Sequence, residues 1–301
     1  MNKEISTVKN TSPFSGLGRM IGAEIFKLRK RQMTKILIGV LVGIIVLVNF
    51  LLLAISKVNF PAAGPGMGNI ENFLGLPVSI PFSLMLISSF GSVLAIILTA
   101  SSIGNEYNWR TIRTELISSE SRFKFLVSKL ISLAIFVLIG MVVGVIAGFI
   151  VSLITTALGG YAFNFSFITS SYLWDQFLQF WRTFFVIIPF SLLGFMMAIV
   201  GRSAMPGIAT GIGVVFLESI ITTFMELAGG WIAKVPDYLL SANVRAITAM
   251  NNLPSKFGGE FGGGSISETP SIPHAFVTLS IYSLGFLALG FYLFRQRDLT
   301  G

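Results

Sequence analysis

The chain has 301 residues, of which 53% are hydrophobic and only 11% are charged, and its mean hydropathy is +0.82. These values exclude an ordinary soluble globular domain and indicate an integral membrane protein. With no cysteine and one histidine, the sequence excludes disulfide and thiol chemistry and predicts no metal site. The net charge of +8 is interpreted as a topology signal, and no nucleic acid is expected as a partner.

An amphipathic segment, residues 17–35, precedes the first apolar run. Its residues Ile21, Ile25 and Leu28 fall on one helical stripe. The basic residues of this segment lie away from that stripe: Lys27, Lys30 and Arg31. The pattern predicts a helix in the membrane interface, with its stripe at the acyl boundary and its cations among anionic headgroups. A basic flank that only enforces topology is the alternative.

Six segments are long and apolar enough to cross a hydrocarbon core of about 30 Å, which takes about 20 residues. They are residues 36–55, 82–103, 125–158, 183–200, 207–227 and 274–294. The third would form a helix of roughly 51 Å, and one protruding helix is preferred because two spans would need about 40 residues plus a turn. The predicted fold is an all-α membrane protein with a single domain, residues 1–301.

Most Lys and Arg residues fall on one side of this arrangement. The positive-inside rule therefore predicts that both termini and the loop 104–124 are cytoplasmic. The long outer connection, residues 228–273, begins with aromatic and apolar residues and continues as GGEFGGGSISETPSIP. This composition predicts a pair of short interfacial or re-entrant helices followed by a flexible tether. An irregular loop throughout is the alternative.

No motif for nucleotide binding or hydrolysis occurs in the sequence. The glycine run FGGEFGGGS lacks the Lys-Ser/Thr pair of a Walker A loop, and neither HExxH nor GxSxG is present. We therefore expect no catalytic residues and no cofactor bound by this chain. An energy-coupled transporter built from it must obtain its ATPase from a separate subunit.

A charged stretch, residues 105–129, separates the second and third predicted spans. If residues 105–120 are helical, Trp109, Ile112 and Leu116 form one apolar ridge, and Glu106 precedes Arg110 by four residues. A short amphipathic helix that presents a tryptophan is typical of an anchor for a partner's groove. An interfacial helix without a partner would show the same pattern.

The string EYNWRTIRTELISSESRFKFLVSK resembles the signature between spans two and three of type-2 ATP-binding-cassette exporter permeases. The matching positions are Glu106, Thr111, Arg113, Leu116, Ser121, Arg122 and Lys129. The C-terminal FYLFRQRDLTG resembles that family's short tail. The sequence departs from the family pattern at Arg110, where glycine is common, and at Ser119-Glu120, where proline is frequent.

The resemblance implies a permease subunit of an ATP-driven exporter in the cytoplasmic membrane. It would pair with a second permease copy or a homologous permease and bind two copies of an ATPase that itself holds ATP and Mg²⁺. The residues implied in docking are Glu106, Trp109, Arg110, Thr111, Ile112, Arg113, Leu116 and Arg122. Its substrate would be hydrophobic or amphipathic. A membrane channel or a scaffold protein with an interfacial helix is the alternative.

Two further features lie inside the predicted spans. Gly140, Gly144 and Gly148 form a small-residue face in span three, which allows close packing within the chain or at a dimer interface. Glu218 is a carboxylate at membrane depth in span five. Because such burial is costly, Glu218 is a candidate cavity or gating residue. The alternative is that the helix breaks before Glu218, which then lies in a hydrated turn.

Overall fold

The computed structural model describes residues 16–57, 75–108, 121–160, 163, 165–251 and 270–296, without the side chain of Glu226. Within these residues the protein is helical and has no strand. Six helices are long and apolar enough to cross a membrane, in agreement with the predicted number. The chain is therefore an all-α, multi-pass membrane protein.

The helices follow one another with short connections in the described parts of the chain. The six candidate spans are α2 (Gln32–Lys57), α3 (Leu76–Asn108), α4 (Arg122–Gly159), α5 (Ser170–Gly201), α6 (Ala204–Ala228) and α8 (Ile272–Gln296). Two shorter helices are α1 (Leu17–Lys30) and α7 (Leu240–Thr248), the second of which follows a 3₁₀ helix, Ile232–Tyr238.

The fourth span begins much earlier than the hydropathy predicts. Helix α5 starts at Ser170 and not near Thr183. Hydropathy misses this start because the first turns of the helix are amphipathic. There Gln176 and Gln179 are buried, whereas Trp174 is 60% exposed. The polar side chains thus face the protein, and they lower the local hydropathy of a segment that is nonetheless helical.

Helix α3 lies at the centre of the bundle, packed against α5 and α6. At Gly207 of α6, an added Cβ would come within 2.6 Å of the Gly194 carbonyl oxygen of α5 and within 2.8 Å of the Ala100 Cβ of α3. At Gly211, one turn further on, it would meet the Ile96 side chain. Small residues therefore set the separation of these three helices.

The three glycines on one face of α4 differ in how closely other helices approach them. An added Cβ at Gly144 would meet Ile87 of α3 and Ile45 of α2, and one at Gly148 would overlap Ser83 of α3. At Gly140 no atom lies within 4 Å. Two of the three glycines thus lie at intrachain contacts. Ile87 begins a π-helical turn, Ile87–Gly91, in the middle of α3.

The apolar stripe of α1 faces the bundle and not the acyl boundary. Leu28 is only 2% exposed and packs with Leu98, Leu133 and Phe136 of α3 and α4, and Ile25 joins the same cluster. The predicted orientation of the stripe toward lipid is therefore wrong, because α3 and α4 offer it an apolar surface. The outward face of α1 carries Phe26, Arg29 and Lys30.

The connection after α6 contains two short helices in its first half, the 3₁₀ helix and α7. Tyr282 of α8 donates a hydrogen bond to the Tyr238 carbonyl (3.2 Å), and Arg182 of α5 donates one to the Met250 carbonyl (3.3 Å). These contacts hold the segment against α5 and α8. Whether its helices lie at the membrane interface or re-enter the membrane stays a prediction, and the predicted tether over residues 252–269 lies outside the described residues.

Candidate functional site

The structure describes only the two ends of the predicted docking segment. Six of its residues lie outside the described part of the chain: Trp109, Arg110, Thr111, Ile112, Arg113 and Leu116. The other two, Glu106 and Arg122, belong to the end of α3 and the start of α4. The geometry around these two residues determines how firmly the segment is attached to the bundle.

A buried lysine joins the three helices at this end. The ammonium of Lys129, on α4, donates a hydrogen bond to Glu24 Oε2 of α1 (2.9 Å) and a second, short one to Glu106 Oε1 of α3. The Lys129 side chain has no exposed surface, and those of Glu24 and Glu106 are 7% and 1% exposed. We refer to these three residues as the Lys129 cluster.

Two further cations surround the Lys129 cluster. Lys27 donates a hydrogen bond to Glu24 Oε1 at 2.8 Å. Arg31, in the one-residue connection between α1 and α2, lies with Nη2 3.7 Å from Glu106 Oε1 and donates from Nη1 to the Ser102 carbonyl at 3.4 Å. The two carboxylates are therefore shared among cations from α1, from the connection between α1 and α2, and from α4.

The ionisation of Glu24 reflects these contacts. Burial by itself would raise the pKa of this carboxyl, but the attraction and hydrogen bonds of the Lys129 and Lys27 ammonium groups outweigh burial. The pKa of Glu24 is therefore lower than its ordinary value of 4.5. At neutral pH the Glu24 carboxylate is charged and compensates the buried lysine.

A buried ion cluster of this kind fixes geometry more than it adds stability. Removing charges from water costs several kcal/mol per ion, which the mutual attraction offsets only in a well-formed arrangement. Removing one partner, by contrast, leaves a buried charge without compensation. The Lys129 cluster thus makes the relative position of α1, α3 and α4 specific.

The start of α4 is held in two other ways. The Ser121 hydroxyl accepts a hydrogen bond from the Lys124 backbone N–H (3.1 Å), which caps the helix. Arg122 donates a hydrogen bond to the Arg295 carbonyl near the end of α8 (3.3 Å). Segment 109–120 is therefore attached at both ends to helices that are fixed to their neighbours.

Glu106 has a buried partner within the bundle. Its side chain is buried, and its Oε1 accepts the hydrogen bond from Lys129. This contact helps to hold the end of α3 in position. The predicted pair of Glu106 with Arg110 lies outside the described residues, and that pair and the role of Glu106 in docking stay predictions.

Glu24 belongs to this site but is not among the residues predicted from the sequence. One signal was present: Glu24 falls on the same helical face as Ile21 and Leu28, at i+3 and i−4 from them. A carboxylate on an otherwise apolar stripe indicates a buried cationic partner, since a charge there would otherwise face hydrocarbon. Arg31 was noted only as a basic residue, although it contacts Glu106.

The second candidate region surrounds Glu218, at the opposite end of the bundle. Helix α6 continues through Glu218, so the alternative of a helix break before it is wrong. Glu218 is 7% exposed, and its Oε1 accepts a hydrogen bond from the Ser241 backbone N–H (3.0 Å) in the first turn of α7. Its Oε2 is buried and has no hydrogen-bond partner among the described residues.

The chain also matches known proteins. A family model with the description "Protein of unknown function (DUF2705)" matches residues 36–300. The chain is similar to "Uncharacterized protein YhcI" from Bacillus subtilis (strain 168), with 26% identity over 213 residues. This match covers 68% of the chain and 63% of the Bacillus protein, so it spans less than two thirds of that relative. The family match extends over most of the chain and includes the six candidate spans apart from the first four residues of α2, and the protein therefore belongs to the DUF2705 family.

Proposed function

We propose that this protein is the membrane-spanning permease subunit of an ATP-driven exporter of the ATP-binding-cassette type. Segment 105–120 would bind a separate ATPase on the cytoplasmic side of the cell membrane. Two ATPase copies and a second permease copy, or a homologous permease, would complete the transporter. The chain itself would not hydrolyse ATP, since the sequence contains no Walker A motif.

The observation that carries the proposal is the Lys129 cluster. A docking segment can move membrane helices only if its attachment is rigid, because a flexible attachment would absorb the displacement. Glu106 and Lys129 connect the helices on the two sides of segment 109–120 to each other and to α1. A displacement of the segment would therefore move α1, α3 and α4 together.

The substrate is proposed to be hydrophobic or amphipathic. Glu218 supports a polar contact with it, because one carboxylate oxygen is buried without a described partner at a depth where burial of charge is costly. The substrate would reach this residue near α7. A channel or scaffold protein remains the second candidate, supported only by the six spans and the amphipathic α1.

The experiment that tests the proposal is ATP hydrolysis by the reconstituted complex. The chain is purified together with a candidate ATP-binding-cassette ATPase and screened with amphipathic compounds. Stimulation of ATP hydrolysis that requires this chain is the expected result. Glu218→Gln retains an oxygen for the Ser241 N–H but removes the charge, so it should alter that stimulation without loss of the complex. Ion conductance without ATP would instead support a channel.

A further inference from the structure

The cations near the junction of α1 and α2 fall into two groups. Lys27 and Arg31 face the protein and contact Glu24 and Glu106. The other group is exposed and forms no hydrogen bond or ion pair with any described residue: Arg29, Lys30 and Lys35. The carboxylates of the Lys129 cluster therefore do not compensate this second group.

The second group of cations shares one surface hollow. Phe26, Arg29, Lys30 and Lys35 line a depression of about 460 Å³ between the last turns of α1 and the first turn of α2. The Lys30 ammonium lies 5.6 Å from the centre of the Phe26 ring, over its face. No carboxylate lines the hollow among the described residues. Its charge complements an anion.

The hollow lies where an apolar helix begins. Helix α2 starts at Gln32 and is the first candidate span, so Lys35 is about 4.5 Å along its axis. Phe26, which lines the hollow, is 61% exposed, and Ile36, which follows Lys35 in the sequence, is 60% exposed. The surface thus combines three positive charges with apolar side chains at the level where hydrocarbon meets headgroups.

We propose that this hollow binds the headgroup of an anionic phospholipid. Arg29, Lys30 and Lys35 contact the phosphate, and Phe26 and Ile36 contact the glycerol and upper acyl region. A soluble phosphate would use only the cations, whereas a lipid also covers the exposed apolar side chains. The described residues that line the hollow belong to α1 and α2, and the proposal does not depend on the proposed function.

The test is lipid binding by the full-length chain, measured by native mass spectrometry in detergent. The delipidated protein is titrated with dioleoylphosphatidylglycerol and, separately, with dioleoylphosphatidylcholine. Because each cation near a surface favours anionic lipid, the wild-type protein should prefer phosphatidylglycerol by roughly tenfold or more. The variant Arg29→Gln/Lys30→Gln/Lys35→Gln should lose that preference.

A matched control removes the same charge from other exposed positions: Arg19→Gln/Arg202→Gln/Lys234→Gln. It should retain the preference for phosphatidylglycerol. Equal selectivity of the hollow variant and the wild-type protein would overturn the proposal, and so would displacement of phosphatidylglycerol by millimolar inorganic phosphate. If the triple variant does not fold, Arg29→Gln and Lys35→Gln singly should each lower the preference several-fold, and no change in either would contradict it.

Discussion

Lys129 is the residue on which the α1 end of the protein depends most. Its ammonium is the common partner of Glu24 and Glu106, which come from two other helices and are both buried. Lysine is suited to this position because a flexible stem carries a compact charge with three donors. Met or Leu would fill the volume but would leave two carboxylates close together in a region with little water.

The first prediction concerns Lys129→Met. It should lower the stability of the folded protein by about 3–5 kcal/mol at neutral pH, because the buried carboxylates lose their counter-charge. Thermal unfolding of the detergent-solubilised protein measures the change. Lys234→Met, which alters an exposed lysine at the other end of the molecule, serves as the matched control and should have little effect.

Acid provides a second readout of the same cluster. The folded-state pKa of Glu24 lies below its ordinary value of 4.5, so its contribution to stability is present above pH 4.5 and is lost as pH falls through the folded-state pKa. Protonated carboxyls need no counter-charge. The difference in Tm between wild type and Lys129→Met should therefore narrow as pH falls below 4.5. A difference that stays constant into acid would show that lost packing alone, not charge, explains the effect.

Helix packing at the centre depends on the small residues of α6. Gly207 lies against the backbone of α5 and the Ala100 methyl group of α3, and none of these atoms can rotate away. Gly213, on the same helix, has no atom within 4 Å of an added Cβ. The two positions thus differ in their surroundings. A glycine-to-alanine substitution changes the intrinsic helix propensity equally at both.

Gly207→Ala should therefore destabilise the protein by about 1–3 kcal/mol through overpacking, whereas Gly213→Ala should be neutral or slightly stabilising. Thermal unfolding of the two variants in parallel makes the comparison. An equal change in stability for the two variants would contradict this expectation. It would mean that α3, α5 and α6 can move apart to accommodate an added methyl group at little cost.

How far the sequence predicts an element depends on what surrounds that element. The six spans follow from hydropathy because a membrane helix must be apolar over its whole length. The first turns of α5 escape this rule, since Gln176 and Gln179 are covered by protein and not by lipid. The orientation of α1 also could not be read from its stripe, because lipid and a neighbouring helix are equally apolar surfaces.

The candidate site shows the same limit. Hydropathy and charge pattern locate the charged stretch 105–129, and they suggest for Glu106 only the nearest cation in sequence, Arg110, which lies outside the described residues. They do not reveal its contact with Lys129, which is 23 residues away and becomes a neighbour only through the packing of the helices. Glu24 joins from 105 residues away. Contacts of this kind depend on tertiary packing, which local patterns do not encode.

Taken as a whole, the protein has two differently built ends. At one end, charged side chains of α1, α3 and α4 form a buried cluster, and α3 and α4 are the helices that precede and follow segment 109–120 in the chain. At the other, α7 packs into an apolar cluster with α3, α5 and α8, and backbone carbonyls and Glu218 add hydrogen bonds to the 3₁₀ helix and α7. This difference between the two ends is consistent with the proposed permease, in which one end would bind the ATPase and the other would release the substrate.

The two peripheral spans complete this arrangement. Only 17% and 11% of the most apolar windows of α6 and α8 are buried, so both helices leave most of their apolar surface exposed. These helices also contact α7. The central α3, in contrast, is 67% buried over its window and connects the two ends directly.

Docking of an ATPase is the property on which the proposed function depends, and co-purification measures it most directly. The tagged chain is expressed with a candidate ATP-binding-cassette ATPase, and the amount of retained ATPase is compared with that of Trp109→Ala/Arg113→Glu. A control, Trp231→Ala/Lys234→Glu, changes a tryptophan and a cation near α7. We expect the wild-type chain and the control to retain the ATPase and the docking variant to lose it. Retention by the docking variant equal to that of wild type, or no retention by the wild-type chain, would contradict the proposed function.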